Sequence, residues 1–363
     1  MFKGIYYVTA NCCNKLIERR SDMFCAVKKI FPLMLSIILL LSTGCGSDTR
    51  SDNSQQVTIA VQGLPNDESI ARAWYEDELG KELGIKVVVL DYSSSALLNN
   101  AMATGNIDIA VFGSPNAAIG ISKKLPYKIF WVHNVEGENE SLVVKDSSDI
   151  NSVADLKGKR VGVPFGATTH YALLLALQDA GLDADDIRLF DMQPPEILSA
   201  WNQNTIDAAF VWQPTLGVLL NDGRILLSSR QLNERNITTA DVGVVNQVFA
   251  KRHPNIVKKY IELQIKAHEL FKNEPRHASE LAADTLGIPS NVALKQMKEL
   301  VWLDTEDQIS DRYLGTSEHK GHFAETLAET AKFLEKYNVL QRAANLETFE
   351  NAIDTSFIEA VAK

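Results

Sequence analysis

Two stretches about a hundred residues apart repeat one another, and this repeat narrows the possible folds more than any other feature. Ala101–Pro115 reads AMATGNIDIAVFGSP, and Ala200–Pro214 reads AWNQNTIDAAFVWQP. Each is a helix end, then Ile-Asp, then a short apolar strand, then two variable residues and a proline. Ile107 and Asp108 match Ile206 and Asp207. The spacing is too long for a solenoid array. It suits two halves of one build, each holding one copy. Asp108 and Asp207 stand where a side chain would fix the turn before a buried strand.

The flanking pattern agrees. Strands are expected at 57–61, 85–90, 107–112, 127–135, 141–145, 160–163, 187–190, 206–211, 225–227 and 242–245. Helices are expected between them, at 68–83, 96–103, 115–122, 169–180, 195–203 and 214–221. Such alternation predicts an α/β protein with parallel sheets and helices on both faces. The β-branched run Ile85–Leu90 reads as a strand buried on both faces. After His253 the pattern is nearly all helical and is expected to complete the first lobe. A chain of 363 residues has room for two lobes. The expected division is 57–140 with 244–363 as lobe 1, and 141–243 as lobe 2.

The N-terminus carries an export signal. Lys28 and Lys29 precede an apolar run, Ile30–Leu41, and then Ser42, Thr43 and Gly44 lead to Cys45. A basic start, a short apolar core and small residues at the cleavage point define a secretory leader. The run is short for a transmembrane span. Residues 1–44 are therefore expected to be leader, with 23–44 as the signal peptide and Met23 as an alternative start. Cys45 after Gly44 resembles the lipobox of bacterial lipoproteins, which implies acylation of that cysteine. Ordinary cleavage nearby is the alternative. Residues 45–56 are small and polar, as in a flexible tether.

Composition excludes several classes. Loss of residues 1–44 removes six cations and two anions, so the body carries −14 against −10 for the whole chain. A nucleic-acid backbone calls for a basic footprint, and none is present. All four cysteines lie at or before Cys45, so the body has no disulfide framework and no cysteine nucleophile. GxSxG, P-loop, GxGxxG and HExxH motifs are absent. His319 and His322 are three apart but lack further ligands, so no metal is expected. An exported Asp/Glu enzyme and a ligand-sensing module for a membrane partner stay open as alternatives.

In open α/β sheets, ligands sit beyond the carboxyl ends of the strands. This singles out Gly113-Ser114-Pro115, Phe165–His170 and Trp212-Gln213-Pro214. Ser114, Thr168, Thr169 and His170 offer hydroxyl or N–H groups at helix starts, where anions bind. Ser114 and Thr168 also suit plain helix caps. Glu140 and Asp241 precede apolar strands and are candidate partners for a cation. Trp212 is a candidate cation–π partner.

Val161–Pro214, with VGVPFGATTHYALLLAL, MQPPEILSAW and IDAAFVWQP, resembles the taurine-binding components of ABC importers. VTIAVQG, GNIDIAVFGSPNA and ENESLVV extend the resemblance over nearly the whole mature chain. It implies a two-lobed type II periplasmic-binding-protein fold with a helical C-terminal part and two crossings at the hinge. It implies a monomeric, extracytoplasmic, non-enzymatic receptor without cofactor, working with an ABC permease and its ATPase. It places Glu140 and Asp241 near the ligand's amine. Relatives in the wider family bind alkanesulfonates, nitrate, bicarbonate or thiamine precursors, so these ligands are alternatives.

Overall fold

The computed structural model describes residues 56–234 and 238–362. The expected leader and Cys45 lie outside the described residues, as does the tether up to residue 55.

Among the described residues, ten strands form two five-stranded sheets. They are β1 (Gln56–Val61), β2 (Lys86–Asp91), β3 (Ile109–Gly113), β4 (Tyr127–Val135), β5 (Glu140–Lys145), β6 (Arg160–Val163), β7 (Arg188–Asp191), β8 (Ala208–Trp212), β9 (Gly223–Ser228) and β10 (Ala240–Asn246). The first sheet runs β2-β1-β3-β10-β4 and the second β7-β6-β8-β5-β9. The orders are equivalent, with β6 in the place of β1 and β8 in the place of β3.

The two repeated aspartates account for this equivalence. Asp108 Oδ2 accepts the Thr58 N–H at 2.9 Å, and the Asp108 N–H returns to the Thr58 carbonyl at 3.0 Å. Asp207 does the same to Arg160, at 2.8 Å in both directions. Each aspartate locks the strand it precedes against the first strand of its sheet.

The sheets are mixed, not parallel as expected. β10 is antiparallel to β3 and β4, and β5 is antiparallel to β8 and β9. The physical reason lies in the connections. The chain changes sheets between Val135 and Glu140, and again between Ser228 and Ala240. Neither crossing has the dozen or more residues that a crossover to a parallel strand takes, the second holding only the short helix Ser229–Asn233, so the incoming strand runs backwards. Both crossings fall a few residues before the expected lobe boundaries.

β2 also differs from expectation. It pairs only with β1 and lies at an edge, where Leu90 is 38% exposed. A continuous apolar run fixes strand character, but its place in the sheet depends on the topology.

Fifteen α-helices cover the sheets among the described residues: α1 (Asp67–Trp74), α2 (Ser95–Ala103), α3 (Ser114–Ser122), α4 (Thr168–Asp179), α5 (Pro194–Asn202), α6 (Thr215–Leu219), α7 (Ser229–Asn233), α8 (Gln247–Arg252), α9 (Pro254–Asn273), α10 (Pro275–Leu286), α11 (Ser290–Glu299), α12 (Thr305–Gln308), α13 (Phe323–Lys336), α14 (Leu346–Ala352) and α15 (Ser356–Val361). Val57, Ile59 and Val61 turn to one face of the first sheet and pack with α1, α9, α10, α11 and α15. Ala60 turns to the other, toward α2, α3, α13 and α14. The second sheet packs α4 on one face and α5 and α6 on the other. Fully burying one large apolar side chain contributes about 1.5–3 kcal/mol. Trp131, Phe130 and Tyr260 sit in the first of these layers. Among the described residues, no helix is long and apolar enough to cross a membrane.

Candidate functional site

The two sheets point their strand ends at one another across a cleft, and the halves touch there. Asn116 Nδ2 on α3 donates to the Gly166 carbonyl before α4. Tyr171 on α4 meets Phe333 on α13 edge-on at 5.2 Å. Gln213 Nε2 donates to Glu299 at the end of α11 at 3.0 Å.

Within the cleft a small pocket is lined by Gln62, Leu64, Ser95, Glu136, Asn139, Glu140, Ala167, Thr168, Trp212 and Asp241.

One end is acidic. Glu140 opens β5 opposite Trp212, and Asp241 lies on β10 opposite Gly113. The two acids hold equivalent places on the two reversed strands. Glu136 joins them from the first crossing. The Glu140 carboxylate accepts from the Thr168 hydroxyl and from Ser229 Oγ, the latter at 3.1 Å. Glu136 Oε2 accepts from Asn139 Nδ2 at 2.5 Å, while its carboxyl is in hydrogen-bond contact with Asp241. Burial raises all three acids. The Glu140 carboxyl is pushed up to about 8, against the pull of the Thr168 hydroxyl. Burial, then the neighbouring Asp241 and Glu140, raises Glu136 well above the usual range. Burial also raises Asp241.

Two helix starts also border the pocket, one of them bonded to the acidic end through Thr168. Ser95 opens α2 and Thr168 opens α4. Neither helix has a side-chain cap bond, and the buried Ser94 hydroxyl before α2 lacks a partner among the described residues. Uncapped first turns leave N–H groups and the positive end of the helix dipole facing the cavity.

Of the seven ligand candidates, Glu140, Thr168, Trp212 and Asp241 come together in this cavity. Ser114, Thr169 and His170 do not line it. Ser114 Oγ is turned to the first sheet and accepts the Ala240 N–H at 3.2 Å. Thr169 is fully buried, with its hydroxyl unpartnered among the described residues. His170 stacks on Phe165 at 4.4 Å, and its Nδ1 accepts the Gly166 N–H at 3.1 Å. Burial lowers its pKa to about 4, so the ring is neutral at physiological pH. It faces a larger neighbouring groove with Asn99, Asn116 and Arg188. Only one side of a helical first turn can face a given cavity, and spacing alone does not tell which.

The residues that sequence reasoning missed include Glu136, Asn139, Gln62 and Ser95. Glu136 had a signal, since acids alternate at 136, 138 and 140. Glu138 turns outward and pairs with Arg230 at 2.5 Å. Asn66, Asp67 and Glu68 start α1 and are buried behind the cavity. There Asp67 accepts from Trp131 Nε1 at 2.9 Å and lies 2.6 Å from His133 Nδ1. Among the described residues, no group of three or more His, Cys, Asp or Glu is arranged to hold a metal ion.

Comparison with known proteins fits this arrangement. Residues 55–270 match the family model OpuAC, the substrate binding domain of an ABC-type glycine betaine transport system. The chain belongs to this family. OpuAC-type proteins are solute receptors of ABC transporters, not enzymes, and the two-lobed α/β fold is theirs. A taurine-binding periplasmic protein of Escherichia coli is 32% identical over 296 residues, 80% of this chain and 89% of its own length. The crystal structure of the periplasmic aliphatic sulphonate binding protein SsuA from Escherichia coli superposes with a TM-score of 0.67 at 20% identity, covering 84% of this chain and 99% of that one. SsuA from Xanthomonas axonopodis pv. citri, bound to MOPS, gives 0.67 at 18% identity, covering 82% and 98%.

Proposed function

We propose that this protein is an extracytoplasmic receptor that captures taurine for an ABC importer. One observation carries the reading: one small pocket brings buried acids together with two uncapped helix starts. Taurine is a zwitterion, with an ammonium and a tetrahedral sulfonate. Glu140 and Asp241 would take the ammonium, and the first turns of α2 and α4 would take the sulfonate. A quaternary ammonium such as glycine betaine has no N–H to give these acids and favours an aromatic cage. This cavity offers Trp212 alone among aromatic residues. The 32% identity to a taurine-binding protein supports the same ligand.

Capture would proceed by closure. Ligand bridging the halves favours the state in which contacts such as Asn116 to Gly166 exist. The closed form then docks on the permease. The test is calorimetric titration with taurine, ethanesulfonate, nitrate, glycine betaine and a thiamine-precursor pyrimidine. Saturable taurine binding with much weaker ethanesulfonate is expected. Heat from another ligand alone would refute taurine while keeping the transport role.

Affinity should depend on pH. Burial holds Glu140 protonated below about 8 in the ligand-free protein, whereas an ammonium calls for the carboxylate. Binding therefore releases a proton, and affinity should rise nearly tenfold per unit as pH climbs toward 8. Dissociation constants measured from pH 6 to 8.5 check this; a flat profile removes Glu140 from the ammonium's partners.

Anchoring is proposed at Cys45, because its leader has the features of a lipoprotein signal and the acidic body has no attraction for anionic lipid. Cys45→Ser should leave taurine affinity intact and shift the protein from the membrane to the soluble fraction. Retention on membranes would rule out that anchor.

A further inference from the structure

We propose that the end of α11 is a splint on the first crossing, and that the Gln213 side chain is the positioning residue that clasps this splint to the second half. The effect on ligand affinity rests on reading the cleft as a site that closes on its ligand; the clasp itself does not.

The repeat singles out Gln213. It takes the place in the second copy that Ser114 takes in the first. Both meet the reversed strand that enters their own half. Ser114 Oγ accepts the Ala240 N–H, and the Gln213 N–H donates to the Asn139 carbonyl at 3.0 Å. A serine side chain stops there, whereas the glutamine side chain reaches across to the first half.

α11 is rooted in the first half, where Ala293 and Met297 join the core. Its end lies along the first crossing. Val135 and Val301 exchange N–H···O=C bonds at 2.9 and 3.0 Å, and the Glu138 N–H donates to the Glu299 carbonyl at 3.0 Å. The two segments run antiparallel. Gly137 permits the approach, since a Cβ there would lie 1.9 Å from the Glu299 carbonyl oxygen. Gln213 comes to this splint from the second half. Its Nε2 donates to Glu299 Oε2 at 3.0 Å, and its Oε1 accepts from Gln296 Nε2 and from the Gly217 N–H, both at 3.1 Å. The oxygen faces two donors and the nitrogen faces a carboxylate, so the amide fits only one way round.

Gln213 and Gln296 are buried. Apolar packing would let the halves slide, whereas directed bonds to a buried amide fix their register. Breaking one leaves a buried group unpaired. Gln213 directly follows Trp212, which stands opposite Glu140. The clasp therefore holds that side of the pocket against the first half. Without it the halves sample more orientations, and apparent affinity falls by the fraction that remains competent to bind.

Taurine titration and amide hydrogen exchange on the full chain test this. Gln213→Ala should weaken taurine binding at least fivefold. In ligand-free protein it should speed exchange at Glu138 and Val301 at least tenfold and leave the amides of β1 and β6 unchanged. Gln213→Glu sets a carboxylate against Glu299 and should weaken binding at least as much. Exchanging the pair, Gln213→Glu with Glu299→Gln, again faces one amide with one carboxylate and should restore both readings to within about twofold of wild type. A residue that only fills space would not be rescued in this way. No rescue, or exchange at Glu138 and Val301 that is unchanged or quickens equally in β1 and β6, overturns the clasp. Local quickening with unchanged affinity overturns the positioning role. If taurine gives no heat with wild type, the ligand reading fails by itself, and exchange in the ligand-free protein still decides the clasp.

Discussion

Asp241→Ala is expected to lower the affinity for taurine by at least tenfold, and Glu140→Ala to do the same. Removing one partner of a buried, hydrogen-bonded charge pair costs roughly 2–5 kcal/mol, or from about thirtyfold to several thousandfold in affinity. The same substitutions should have the opposite sign on ligand-free stability. Glu140 keeps its proton up to about 8 in the folded protein, against 4.5 as its ordinary value. The folded state therefore binds protons more tightly than the unfolded chain. Its stabilisation is complete below about 4.5 and is lost as pH rises through about 8. Above that pH the acids destabilise the empty protein, and Asp241→Asn should raise its melting temperature there. Each kcal/mol corresponds to about 2–4 °C for a chain of 150–250 residues. A purely structural acid would lose both binding and stability on replacement. Calorimetry and thermal melts on the same variants separate the two roles, and unchanged affinity in both alanine variants would sink the ammonium pocket.

Gly113→Leu should reduce taurine affinity a hundredfold or more while leaving the ligand-free fold intact. Gly113 ends β3 with φ −62° and ψ 142°, a conformation open to any residue, so backbone freedom does not require glycine here. Space does. A Cβ would lie 2.8 Å from Thr168 Cγ2 and 3.6 Å from Ser95 Oγ. Gly113 belongs to the first sheet and Thr168 to the helix that follows β6 of the second. The missing side chain is therefore a condition for the halves to meet, and not for either half to fold. Thr168 cannot rotate away freely, because its hydroxyl is held by Glu140. X-ray scattering with taurine should show contraction of the wild type and none of the variant. A variant that contracts and binds normally would refute the wedge.

The legible part of the molecule was local. The Ile-Asp repeat announced two equivalent halves, and each aspartate does bridge to the first strand of its sheet. Glu140, Asp241, Thr168 and Trp212 were readable because strand and helix ends mark the cleft. What sequence could not supply was direction. Whether β5 and β10 run with or against their neighbours depends on the sheet they join. Which of the acids at 136, 138 and 140 turns inward depends on the bend of the crossing. His170 adjoins Thr168 and Thr169 in sequence but faces another groove, because successive residues of a helix point about 100° apart.

Glu136 and Glu140 stand at the entry and the exit of the first crossing, and Asp241 stands at the exit of the second. In the proposed ammonium pocket, a cation held between them would be a pin through the pivot about which the halves would turn. It would then not leave by a small gape at the rim; the pivot itself would have to loosen. Residence time would then be governed by the stiffness of two short stretches of backbone. A membrane partner that splays those stretches would unload the receptor without competing for a single ligand contact.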